Sequence, residues 1–163
     1  MARKVFFSFH YANDIWRVSQ IRNSWRITKG NETQPFYDKA DWEKIKKSSD
    51  KAIENWIEQQ LKGCSVTVVL IGSETASREW VLHEIKRSYE LGKGIIGVYI
   101  HNVKDSDSNT STKGKNPFDY WSITQNGKKV SFSSIYSTYD YVLNDGKNNL
   151  GSWIEEAAKE AGK

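Results

Sequence analysis

The chain has one cysteine, Cys64, so no intrachain disulfide can brace it. Cys64 precedes an apolar run and reads as an ordinary buried thiol. No apolar stretch approaches the roughly 20 residues needed to cross a bilayer. The opening Met1-Ala2-Arg3-Lys4 and its short apolar patch are too brief for a secretory leader, so a cytoplasmic location is expected. In that compartment the sequons at Asn31 and Asn109 carry no meaning. The formal charge is +4 and the pI about 9.0, yet only Lys44, Lys46 and Lys47 form a tight basic run. The remaining Lys and Arg are interspersed with acids, which predicts a solvated surface and no nucleic-acid partner. That charge would still help draw in a nucleotide anion.

Several nucleotide and metal signatures are missing as well. No GxGxxG follows the first apolar run, whose turn reads Ser8-Phe9-His10-Tyr11-Ala12-Asn13. No GxxxxGK[ST] occurs. The third apolar run ends in Gly72-Ser73 where a phospho-acceptor domain would carry an acid, and a flavodoxin's Ser/Thr/Gly phosphate loop is absent. His10, His83 and His101 share no ligand spacing. Asp105-Ser106-Asp107-Ser108-Asn109 starts like a calcium loop, but Thr110 replaces its glycine and Asn116 its final Glu. Neither a metal nor a resident cofactor is expected.

What the chain does have is enough length, 163 residues, for one domain with a proper core. Apolar residues make up 37% and charged ones 27%, the balance of a globular protein. Seven Trp and eight Tyr exceed the needs of that core, so some should line a pocket or contact surface. The runs Val5–Phe9, Val66–Ile71 and Ile95–Ile100 lack alternation, as strands buried on both faces do. Pro35-Phe36-Tyr37 reads as a short second strand, and Tyr136–Val142 as a fifth. Helical spacing places Ile15, Val18, Ile21 and Trp25 on one face after Asn13. It does the same for Ile53, Trp56, Ile57 and Leu61 after an N-cap at Ser49 or Asp50. A last helix covers Leu150–Ala161.

The order βαβαβαβ predicts an α/β fold. It should be a doubly wound, mostly parallel five-stranded sheet of flavodoxin-like type, with helices on both faces. One domain should span residues 1–163, with 101–129 as a long, polar loop or insertion.

The segment Ser77–Leu91 carries the most informative feature. At about 100° per residue, Trp80, Val81, Ile85, Ser88 and Leu91 share one side of a helix. Glu84 lies inside that stripe. A carboxylate facing a sheet is costly unless paired, hydrated or set in a cleft, so Glu84 is a structural ion-pair member or the working group of a site. Ligands of doubly wound sheets bind outside the carboxyl ends of the strands. Four segments reach that edge: Ser8–Tyr11, Asp38–Trp42, Gly72–Thr75 and His101 onward. Phe9, Tyr11, Trp42 and Trp80 could stack a flat base there; Phe9 and Trp80 read equally well as core. Ser73 could merely cap a turn, and His10 merely end a strand.

An ordered set of motifs resembles a known family. Val5-Phe6-Phe7-Ser8-Phe9-His10, Trp42-Glu43, Val68-Val69-Leu70-Ile71-Gly72-Ser73 and Arg78-Glu79-Trp80-Val81-Leu82-His83-Glu84-Ile85 look like a TIR-like domain. Asn116-Pro117-Phe118-Asp119-Tyr120, Tyr139-Asp140-Tyr141-Val142, Asp145-Gly146 and Trp153 extend the match to the TIR component of bacterial Thoeris antiphage systems. The resemblance covers almost the whole chain, least surely at Lys104–Lys115. It implies that Glu84 is catalytic and that Ser8, Phe9, His10, Tyr11, Asp38, Trp42, Ser73 and Trp80 are candidates for binding substrate. NAD would be the substrate, with release of nicotinamide and a cyclic or conjugated ADP-ribose signal for a separate effector. A phage-derived trigger and a homo-oligomer belong to the same expectation. The residues alone leave two other readings open: a non-catalytic TIR adaptor, and a nucleoside deoxyribosyltransferase-like enzyme acting on the same type of bond.

Overall fold

Local patterning becomes a layered α/β unit. The structure, a computed structural model, describes residues 3–26, 32–33, 44–45 and 47–163; the side chains of Tyr11, Arg26, Glu32 and Thr33 are not among what it describes. The strands are β1 (Lys4–Ser8), β2 (Glu32–Thr33), β3 (Val66–Ile71), β4 (Gly94–Tyr99), β5 (Ser122–Gln125), β6 (Lys128–Ser131) and β7 (Thr138–Asp140). The helices are α1 (Tyr11–Arg26), α2 (Asp50–Leu61), α3 (Glu79–Glu90), α4 (Phe132–Ile135) and α5 (Gly146–Glu160).

The main sheet runs β2-β1-β3-β4-β7 with every neighbouring pair parallel. All six residues of β3 are buried, as a central strand covered on both faces must be. Val18, Ile21 and Trp25 of α1 join Leu150, Trp153, Ile154, Ala157 and Ala158 of α5 in one cluster with Val5, Phe7, Val68 and Leu70. Across the sheet, α3 places Trp80, Val81 and Ile85 against Val69, Ile71 and Ile95. On that side α2 adds Ile57 and Leu61 against Phe6 and Cys64. Ser49 caps α2, its hydroxyl accepting from the Ala52 N–H at 3.2 Å.

Two expectations need revision, and a third lies outside the described residues. The second strand lies at Glu32–Thr33, pairing with Lys4 and Val5; the expected Pro35-Phe36-Tyr37 falls outside the described residues. The polar stretch 101–129 is not loop throughout. It holds a 3₁₀ turn at Pro117–Tyr120 and the strand β5, which pairs antiparallel with β6 in a second, two-stranded sheet. Its cause is the turn Asn126-Gly127, where φ is 51° and 77°. Two consecutive positive φ values give the turn whose twist matches a two-residue hairpin. The fold is thus a parallel sheet plus a separate hairpin. Trp121 docks that hairpin on α3, its indole N–H donating to the Leu82 carbonyl at 2.8 Å. The fifth strand of the main sheet shrinks from Tyr136–Val142 to Thr138–Asp140.

Candidate active site

Strand order reverses between β1 and β3, because the chain moves outward to β2 on one side and to β4 and β7 on the other. In this sheet type the gap at the reversal, at the carboxyl edge, is where a ligand fits. The helix that crosses there is α3. Its start is set by a 3₁₀ turn, Thr75–Ser77, and by Arg78 in extended conformation. From that start, helical spacing brings Trp80, Val81, Glu84, Ile85 and Ser88 to the buried side, as the periodicity of the sequence predicts.

Glu84 is 1% exposed. Its Oε1 accepts a 2.7 Å hydrogen bond from the Ser8 hydroxyl at the end of β1, while Oε2 has no hydrogen-bond partner among the described residues. Burial pushes the Glu84 carboxyl up to about 8, and the Ser8 hydroxyl partly offsets this by favouring the anion. Among the described residues no cation pairs with it. Its backbone is held from below. The Ser88 hydroxyl donates to the Glu84 carbonyl at 2.6 Å and accepts from the Thr67 hydroxyl of β3 at 2.7 Å. These two hydroxyls were not singled out beforehand, although Ser88 stood in the apolar stripe and Thr67 inside an otherwise aliphatic run.

The other candidates fall into three groups. Trp80 and His10 gather near Glu84: the Trp80 indole N–H donates to the Phe9 carbonyl at 3.2 Å, and the His10 ring lies 5.9 Å from that of Trp80. Phe9 contributes its carbonyl there, while its side chain packs with Val5, Phe7 and the α1–α5 side of the sheet. Ser73 sits half-buried in the turn after β3. Tyr11 opens α1, but its side chain is not described, and Asp38 and Trp42 lie outside the described residues. His101, at the end of β4, is buried and 3.9 Å from the Asp140 carboxylate.

Two functional-looking residues escaped the sequence reading. Asp14 and Arg17, on the first turns of α1, are 1% and 5% exposed. A buried Asp three residues before a buried Arg, on a face that also carries Val18 and Ile21, was the available signal.

Asp105 Oδ1 accepts from the backbone N–H groups of Asp107 and Asn109, which closes a polar turn and holds the carboxyl below its usual range. No group able to hold a metal ion occurs among the described residues. Nor is any described helix long and apolar enough to cross a membrane.

A parallel sheet with this reversal, a buried glutamate on the helix after β3 and a serine partner at the end of β1 fit the resemblance to a TIR-like domain. The family described as "Thoeris protein ThsB, TIR-like domain" matches residues 6–105. The chain is also 38% identical to a Bacillus cereus (strain MSX-D12) protein named "Putative cyclic ADP-D-ribose synthase ThsB1". That match covers 94% of this chain and the full length of the relative. The chain belongs to the ThsB family of TIR-like Thoeris proteins.

Proposed function

We propose that the protein cleaves NAD at the nicotinamide–ribose bond and releases a cyclic or conjugated ADP-ribose that acts as a signal on a separate effector. The observation that carries this is Glu84, a buried carboxyl at the strand-order reversal with one oxygen bonded to Ser8 and the other without a hydrogen-bond partner among the described residues. Breaking the bond builds positive charge on the sugar carbon, which a single ionised carboxylate stabilises. Nicotinamide leaves from a cationic ring, so no second acid is needed. The same cation favours the anion of Glu84, so substrate arrival promotes the ionisation that burial opposes. The name of the Bacillus relative supports a cyclised product. An oxocarbenium-like sugar shielded from water is captured by a nucleophile already held beside it, where the effective concentration reaches roughly 10⁵ M or more. With Glu84 only 1% exposed, substrate must open its way in, consistent with low turnover before an infection-derived trigger.

Incubating the protein with NAD, in infected-cell extract and without it, and following nicotinamide and its co-products by mass spectrometry, tests the reading. Glu84→Gln should abolish nicotinamide release while the protein stays folded. Release at the parent rate by that variant would make Glu84 structural, whereas no release by the parent protein in either condition would favour an adaptor. Free ADP-ribose as sole product, even with extract, would remove the signalling role.

A further inference from the structure

We infer that Asp14 is a positioning residue for Glu84: from the first turn of α1 it fixes the Gly72–Thr75 turn that launches α3, and through Arg17 it fastens the loop after β4 to the same edge. The inference rests on the activity proposed above for Glu84.

The contacts around Gly72 carry it. A Cβ at position 72 would lie 2.2 Å from Asp14 Oδ2 and 2.6 Å from its Cγ, so the carboxyl occupies the space a side chain there would need. The Gly72 N–H in turn donates to the Thr75 hydroxyl at 2.8 Å, and Thr75 is fully buried. From another direction the loop after β4 closes in, since a Cβ at Gly114 would meet the Gly72 carbonyl oxygen at 2.1 Å. The peptide at the end of β3 is therefore gripped by two elements remote from it in sequence.

Arg17 extends the grip. Its Nε donates to the Val103 carbonyl at 2.6 Å and its Nη2 to the Asn109 carbonyl at 2.9 Å. Its guanidinium lies 3.8 Å from Asp14 and 3.7 Å from Asp105. On the turn before, the Asp14 N–H donates to the His10 carbonyl at 3.0 Å, and Asn13 bonds Glu74.

Packing alone does not call for this arrangement. Apolar side chains of similar volume usually hold a core at least as well as a buried ion pair, whose better-attested use is to select one geometry. Asp14 even leaves its Oδ2 without a hydrogen bond. Burial raises its carboxyl to about 6, against the pull of Arg17 and Thr75 and with a push from Glu74. The anion, formed above that pH, is the form that attracts Arg17, which Asp105 shares.

The test compares the parent with Asp14→Asn, which keeps the shape and removes the charge. The rate of nicotinamide release at saturating NAD should fall on the order of 10- to 100-fold at pH 8, the penalty of a misplaced reacting group, with KM little changed. Below the Asp14 value of about 6 the two rates should converge, since the parent carboxyl is then neutral too. Amide hydrogen exchange at matched pH should show lost protection at residues 72–78 and 103–111 together. Should Asp14→Asn fold poorly, Arg17→Lys, which lacks the separate Nε and Nη2 donors that reach the two carbonyls, should give the same paired loss. Equal rates at pH 8, a rate deficit that does not shrink at low pH, or unchanged exchange at either segment would overturn the inference. A parent that releases no nicotinamide under any condition would fault the proposed activity instead, and the exchange experiment would still decide the role of Asp14.

Discussion

Replacing Glu84 by glutamine should make the protein more stable at alkaline pH, by an amount that grows with pH. The folded protein keeps the Glu84 proton up to about pH 8, whereas an unfolded chain releases it near the ordinary value of 4.5. Between these values the native state binds more protons than the unfolded one, so the contribution of Glu84 to stability falls as pH rises. It is fully present below about 4.5 and lost by about 8. The slope is about 1.4 kcal/mol per pH unit, which accumulates to on the order of 4 kcal/mol, a large share of the ~5–15 kcal/mol that holds a domain together. Glutamine has no proton to lose. At pH 5 it should match the parent, because its oxygen still accepts from Ser8 and its amide takes the place of an Oε2 that had no partner. Asp14 has the same sign of shift but is present in both proteins and cancels from the comparison. Thermal unfolding between pH 5 and 9 reads the result: the melting temperatures should separate by roughly 10 °C toward the alkaline end. Parallel curves across that range would mean that Glu84 is ionised in the native state at neutral pH, and the electrostatic picture of the site would be wrong. Activity should run the other way, with kcat/KM for nicotinamide release rising with pH to a plateau above about 8 as the free-enzyme carboxyl ionises.

Trp80→Phe keeps most of the apolar packing but removes the N–H that the Phe9 carbonyl accepts, so about 1–3 kcal/mol of stability should be lost. If the indole also lines the site, kcat/KM measured well below the melting temperature drops as well; unchanged kinetics would assign Trp80 to the core alone. Trp121→Phe deletes the bond to the Leu82 carbonyl and should loosen the β5–β6 hairpin from α3 at a cost of about 1 kcal/mol. Hydrogen exchange confined to residues 122–131 would register that change, and an undisturbed hairpin would show that contacts other than the indole bond hold it.

Much of the site was legible because helical periodicity is local. The spacing of Trp80, Val81, Ile85 and Ser88 around Glu84 follows from 3.6 residues per turn, so the buried carboxyl could be named without knowing what covers it. The uninterrupted apolar runs likewise marked β3 and β4 as strands covered on both faces. The hairpin was equally local, announced by Asn126-Gly127 between alternating residues, and was hidden only by the polar composition around it.

What tertiary structure alone decided is which distant groups meet. Ser8 and Glu84 stand 76 residues apart in the chain, and only the pairing of β1 with β3 under α3 makes one the hydrogen-bond partner of the other. Nothing in the local pattern could show that Oε2 would be left unclaimed, since that depends on every element packed around the site. Phe9, one residue past the end of β1, sends its side chain to the opposite side of the sheet from α3 because successive residues of an extended chain alternate in direction. Asp14, a polar residue early in α1, could be buried there only because the residue after β3 is a glycine that leaves room for its carboxyl. Periodicity assigns a residue to a face; the long-range pairing of strands and loops determines what that face touches, and so whether a carboxyl there ends up charged, neutral or catalytic.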